Sequence, residues 1–206
     1  KGEAWAQLMM GEWYRDGTNG LKQSNVMAAM LFEKAVAQGD PNAMFALAHL
    51  YQHGKGVVQS YTKAAELYTM AAEQGHLGAM FNLGNKYRDG RGVVQSFKKG
   101  VELYTMAAEQ GDVGAMHNLG LLYRDGQGVA QSFKKSAELF TMAAERGNVN
   151  AMTSLGRQYI KGQGVDQSNA LAREWWTKAA NEGDELAIKH LKRLDEEEDK
   201  STTTTA

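Results

Sequence analysis

Ala79-Met80-Phe81-Asn82-Leu83-Gly84-Asn85-Lys86-Tyr87-Arg88-Asp89-Gly90-Arg91-Gly92-Val93 decides the fold, because its skeleton returns along the chain at one fixed spacing. The opening Ala-Met recurs as Ala43-Met44, Ala115-Met116 and Ala151-Met152, each step being 36 residues. The same step relates Gly90-x-Gly92-Val93 to Gly54-x-Gly56-Val57, Gly126-x-Gly128-Val129 and Gly162-x-Gly164-Val165. It also carries Gly39 to Gly75, Gly111, Gly147 and Gly183. A fixed period of about 20–50 residues is the mark of a stacked-repeat architecture.

Within the quoted stretch, Ala79, Met80, Leu83, Gly84 and Tyr87 form an apolar stripe at helical spacing. Gly90-Arg91-Gly92 ends that helix, and Val93 turns toward the core. Ser96 is a natural N-cap for a second helix that runs to Gln110 and buries Leu103, Tyr104, Ala107 and Ala108. One repeat is therefore a helix pair. Gly84, Gly120 and Gly156 recur inside the first helices, where Gly costs about 1 kcal/mol against Ala. Close helix packing is the economical reason to keep them. Ala71-Ala72, Ala107-Ala108, Ala143-Ala144 and Ala179-Ala180 have the same role on the second helices.

These spaced positions resemble the Sel1-like repeats, relatives of the tetratricopeptide repeats. The resemblance rests on Ala79-x-x-x-Leu83-Gly84-x-x-Tyr87-x-x-Gly90-x-Gly92-Val93, and on Lys63-Ala64 followed by Leu67-Tyr68, Ala71-Ala72 and Gly75. Ser60, Ser96, Ser132 and Ser168 stand where that family often has Asp, which keeps a capping residue. An extra residue in Asp16-Gly17-Thr18-Asn19-Gly20 makes the first unit irregular. The implied fold is all-α, a right-handed superhelical α-solenoid of helix-turn-helix repeats. A single solenoid is expected over residues 3–196, with helix pairs at about 3–38, 40–74, 76–110, 112–146 and 148–182. A C-terminal capping helix should follow, with Leu186, Ile188 and Leu191 facing the last repeat. The acidic and Thr-rich residues 197–206 read as a disordered tail.

Composition narrows the function classes. The 206 residues are 43% hydrophobic and carry a net charge of −1, so no global basic field points to nucleic acid. No apolar run approaches the roughly 18 residues of a membrane helix. Cysteine is absent, which removes disulfides, thiol catalysis and cysteine-rich zinc sites. The expected compartment is cytoplasmic, or organellar or secreted if a targeting segment has been removed. Oligomeric state is open.

Few residues invite catalytic chemistry. His49 and His53 lie one helical turn apart, but Leu50 stands where a zinc protease needs its Glu. The G-x-G loops lack the strand that precedes phosphate-binding turns, and repeat as structural turns do. Trp175-Trp176 replaces Leu139-Phe140 of the preceding repeat and reads as core. Some Sel1-like proteins are linked to β-lactam hydrolysis, but those are cysteine-rich. The expectation is a non-enzyme with no cofactor and no metal.

Solenoids of helix pairs line their inner wall with the first helices. The candidate partner-binding positions there are Phe45 and His49; Phe81, Asn82, Asn85 and Arg88; His117, Asn118, Leu121 and Arg124; and Arg157. These vary between copies while the packing positions keep their identity. An Asn amide donates and accepts, so Asn82 and Asn118 suit an extended peptide backbone of any sequence. Tetratricopeptide domains, which these repeats resemble, hold peptides with Asn at the matching place. Arg88, Arg124 and Arg157 suit carboxylates, unless Asp89 and Asp125 occupy them across repeats. The function expected is a protein-interaction scaffold or adaptor that takes a peptide or helix of another protein in a concave groove. The alternatives are an accessory subunit docked through its convex face, where Met70, Met106 and Met142 line up, and a hydrolase with a small groove-bound substrate.

Overall fold

The computed structural model describes residues 2–204, with side chains through Glu198. It consists of α-helices, and no strand occurs among the described residues. The helices gather into two compact units, one ending at Gln110 and the other starting at Gly111. The first holds α1 (Gly2–Asp16), α2 (Asn25–Val36), α3 (Pro41–His53), α4 (Tyr61–Glu73), α5 (Leu77–Asp89) and α6 (Phe97–Glu109). The second holds α7 (Val113–Asp125), α8 (Phe133–Glu145), α9 (Val149–Lys161), α10 (Asn169–Asn181) and α11 (Glu185–Thr204). Each unit is a stack of helix pairs, an all-α solenoid arrangement.

Side chains punctuate the helices as the sequence implies. Ser60 and Ser96 hold extended backbone before α4 and α6, and each Oγ accepts from the N–H three residues on, at 3.2 and 3.3 Å. Asp40 and Asp112 cap α3 and α7 in the same way. Gly90 closes α5 at φ 69°, a left-handed conformation that a residue with a Cβ adopts only under strain.

Packing explains the helical glycines. A Cβ on Gly84 would lie 2.7 Å from the Tyr104 ring, and one on Gly120 would lie 2.7 Å from Phe140. Trp176 fills the same place against Gly156, and Phe32 against Gly11. Each repeat thus seats a buried ring of its second helix on a small residue of its first. In the second repeat the pair is Tyr68 with Ala48, both fully buried. Around these rings, Leu47, Leu50, Met80 and Leu83 complete the first core, and Met116, Leu119, Leu122 and Leu155 the second.

The capping helix departs from expectation in its docking stripe. Ala187 and Leu194 are its buried residues, whereas Leu186 and Ile188 are each 49% exposed. His190 stacks on Trp176 at 4.7 Å, so the docking stripe is 187, 190, 191 and 194. That spacing is the one a straight helix requires, and it places 186 and 188 off the face. Leu191, the third residue expected there, is half-buried. α11 runs from Glu185 to Thr204. Arg173 of α10 pairs with Asp195 and Glu198, and Arg193 with Glu197, which ties the first acidic residues to helix geometry. Residues 205 and 206 lie outside the described part.

Candidate functional site

In each unit the candidate residues of the first helices are partly exposed and largely engaged by neighbours. In the first unit, Phe45 stacks on His76 at 4.6 Å and tilts against Tyr68 at 5.8 Å. Phe81 lies 6.1 Å from Tyr104. Asn82 Nδ2 donates to the Gly78 carbonyl at 2.8 Å, which fixes the amide and leaves its oxygen and second N–H unspent. Asn85 Oδ1 accepts from the Tyr104 hydroxyl at 2.6 Å, so this amide first serves the core. His49 is exposed and tilts against His53 at 4.4 Å. Its pKa is held below the ordinary value by desolvation first, then by His53, Lys55 and Arg15.

The arginines pair within their own helix rather than across repeats. Arg88 Nε donates to Asp89 at 2.8 Å, and Arg124 grips both oxygens of Asp125 at 2.7 and 2.8 Å. Those hydrogen bonds are the leading reason that Arg88 and Arg124 are raised and that Asp125 is lowered. In the second unit, His117 tilts against Phe140 at 5.5 Å and faces Ser154 Oγ at 3.5 Å. Asn118 and Leu121 are half-buried, and Arg157 is exposed. Thr153, at the phase of Phe45, Phe81 and His117, is buried, and its hydroxyl donates to Asp184 Oδ2 at 3.1 Å. The neighbouring capping turn covers it.

Two features of these faces escape sequence reading. Lys86 and Gln158 occupy the phase of Leu50 and Leu122, yet they too are buried, at 6% and 2% exposure. Lys86 sets its ammonium over the Tyr61 ring at 5.1 Å, and desolvation is the first cause that lowers its pKa. Periodicity alone marks both positions as core. It gives no sign of how a polar side chain is accommodated there. On the opposite face, Met70, Met106 and Met142 are 43%, 47% and 44% exposed, as the 36-residue phase implies. Among the described residues no group of three or more His, Asp or Glu is placed to hold a metal ion. No helix among them is long and apolar enough to cross a membrane.

Comparison with known proteins places this architecture. Sel1 repeats match at residues 6–40, 41–76, 78–112, 113–148 and 149–184. The structure is similar to a protective antigen of uropathogenic Escherichia coli displaying an SLR fold, with 30% identity and a TM-score of 0.88. That match covers 92% of this chain but only 40% of the antigen's. It is also similar to a Sel1 repeat protein from Oxalobacter formigenes, at 31% identity and a TM-score of 0.86, covering 91% of this chain and 74% of that one. An immunity protein from Pseudomonas aeruginosa shares the fold at 22% identity and a TM-score of 0.56, over 91% of this chain and 69% of its own. No curated protein matches the chain. With five consecutive matches that account for nearly all its helices, the chain belongs to the Sel1 repeat family.

Proposed function

We propose that the protein is a non-catalytic interaction scaffold, and that the faces carrying Phe45, Phe81, Asn82, His117, Asn118 and Arg124 receive an extended peptide or helix of a partner protein. The Sel1 repeat fold supports the coarser part of this reading, since stacked helix pairs build extended binding surfaces. The observation that carries the finer part is the contrast between copies. Rings and small residues keep their roles from repeat to repeat, while the facing residues change, as from His49 to Asn85 to Leu121 to Arg157. The scaffold is thus held constant from copy to copy while its facing surface differs, as a surface that contacts a partner of irregular sequence requires. Asn82 adds the chemistry: an amide held by its own helix, with a donor and an acceptor to spare.

The test uses three baits in affinity capture from the native source, read by mass spectrometry. Wild type is compared with an inner-face variant, Asn82→Ala with Asn118→Ala, and an outer-face variant, Met70→Lys with Met106→Lys and Met142→Lys. A partner retained by the outer variant and lost by the inner one is the expected result. The reverse pattern moves the site to the methionine row.

A further inference from the structure

The last repeat carries charge and polarity that its packing does not require. Position 161 is the phase of Asp89 and Asp125, and position 157 that of Asn85 and Leu121. α9 therefore places Arg157 and Lys161 one turn apart, a like-charge spacing that weakens a helix. Neither forms an ion pair among the described residues. Together with Arg124 and Asp125 they line an open cavity of about 330 Å³ within the second unit. Arg124 is already committed to Asp125, so the cavity wall keeps a surplus of positive charge.

Gln158 lines the same cavity and is an independent anomaly. Its Nε2 donates to Ser136 Oγ at 2.8 Å, but its Oε1 is buried without a partner. Two copies fill this position without polarity: the equivalents of Gln158 and Ser136 are Leu50 and Ala28, both buried, and Leu122 and Gly100, while Lys86 sets its ammonium over the Tyr61 ring. An orphaned buried carbonyl is costly, and a ligand that brings a donor to it relieves the cost.

We propose that this cavity is an anchoring subsite for an acidic residue of a partner peptide, with its carboxylate on Arg157 and Lys161 and a peptide N–H supplied to Gln158 Oε1. Arg offers two parallel donors to a carboxylate, and Lys adds a point charge. A phosphate dianion satisfies the cations but brings no donor for the glutamine. The inference rests on the interaction-scaffold reading and names the chemistry that its second unit selects.

The experiment is a titration of isotope-labelled protein, followed by amide NMR, with the peptide acetyl-Gly-Ser-Asp-Glu-Ser-Gly-amide. The control probes are the same peptide with Asn-Gln in place of Asp-Glu, and inorganic phosphate. The acidic peptide should shift signals of residues 157–161 saturably and weaken tenfold or more in Arg157→Gln with Lys161→Gln. Gln158→Leu with Ser136→Ala copies the Leu50 and Ala28 pair of equivalent phase, so it should stay folded and still bind at least threefold more weakly. Equal binding of the neutral peptide overturns the inference, as does indifference to both double variants. Binding of phosphate without binding of the acidic peptide overturns it too. If the acidic peptide fails while the Asn82→Ala, Asn118→Ala bait still loses its partner, the subsite alone is wrong. If the outer-face variant is the one that loses the partner, the scaffold reading is wrong even where the peptide binds α9.

Discussion

Five second-helix rings, Phe32, Tyr68, Tyr104, Phe140 and Trp176, occupy one repeat phase, and the polar atoms of the three that carry them are treated differently. The Tyr104 hydroxyl has Asn85, and the Trp176 Nε1–H has the Thr153 carbonyl at 3.1 Å. Phe140 needs nothing, and opposite it the Asn85 phase holds Leu121. Tyr68 alone keeps a buried hydroxyl without a partner, and the same burial pushes its pKa far above the ordinary value. Tyr68→Phe should therefore be neutral or stabilising by up to about 1 kcal/mol, because it deletes an unsatisfied donor. Tyr104→Phe should cost about 0.5–1.5 kcal/mol, because it deletes a made hydrogen bond. Paired urea denaturation curves check this, and equal midpoints for the two variants would show that the hydroxyls are energetically alike. The ring-on-glycine pairing was legible in the sequence because Gly84, Gly120 and Gly156 repeat against helix propensity. The hydrogen bonds of those rings were not, since Asn85 reads equally well as a free surface amide. The buried Gln158 escaped for a related reason, as the phase marks its position as core but does not show how an amide is bonded there.

Helix ends show how one substitution alters an element's response to conditions. α3, α7 and α9 begin on Asp40, Asp112 and Asn148, whereas α5 begins on His76. The cap there is the His76 Nδ1 lone pair, which accepts from the Ala79 N–H at 3.1 Å. Protonation of Nδ1 removes that acceptor. Consistent with this, the folded pKa of His76 lies below its ordinary 6.5, chiefly through desolvation, with its own backbone and Asp40 opposing. In the window between the folded pKa and 6.5 the unfolded chain binds more protons, so stability rises with pH there. His76's contribution is thus present above about pH 6.5 and is lost as the pH falls through the folded value. An N-cap is worth about 0.5–2 kcal/mol. His76→Asn should leave the melting temperature near neutral pH little changed and flatten its decline toward pH 5. His49 and His190 shift in the same direction and stay in both proteins, so only the difference between the two slopes belongs to His76. Identical slopes would mean that the ring does not cap through a titrating nitrogen. The sequence marked this position as a helix start by phase, but nothing in it showed that an imidazole would serve as the acceptor.

Across the whole molecule, the repeat explains why architecture was more legible than function. Every 36-residue step restates the same helix pair, so turns, caps and core positions were fixed several times over. The inner faces are stated once per repeat and differently each time, so no internal copy corroborates them. The capping helix, present once, was misjudged in its docking stripe for the same reason. Function must then be read from binding. The most direct measurement is calorimetric titration of the captured partner's binding segment into wild type and into Asn82→Ala with Asn118→Ala. Loss of two hydrogen bonds of about 0.5–1.5 kcal/mol each predicts binding weaker by about five- to 150-fold. The melting temperature of the variant should stay within a few degrees of wild type. Unchanged affinity in a folded variant would contradict the assignment of the partner to the inner faces.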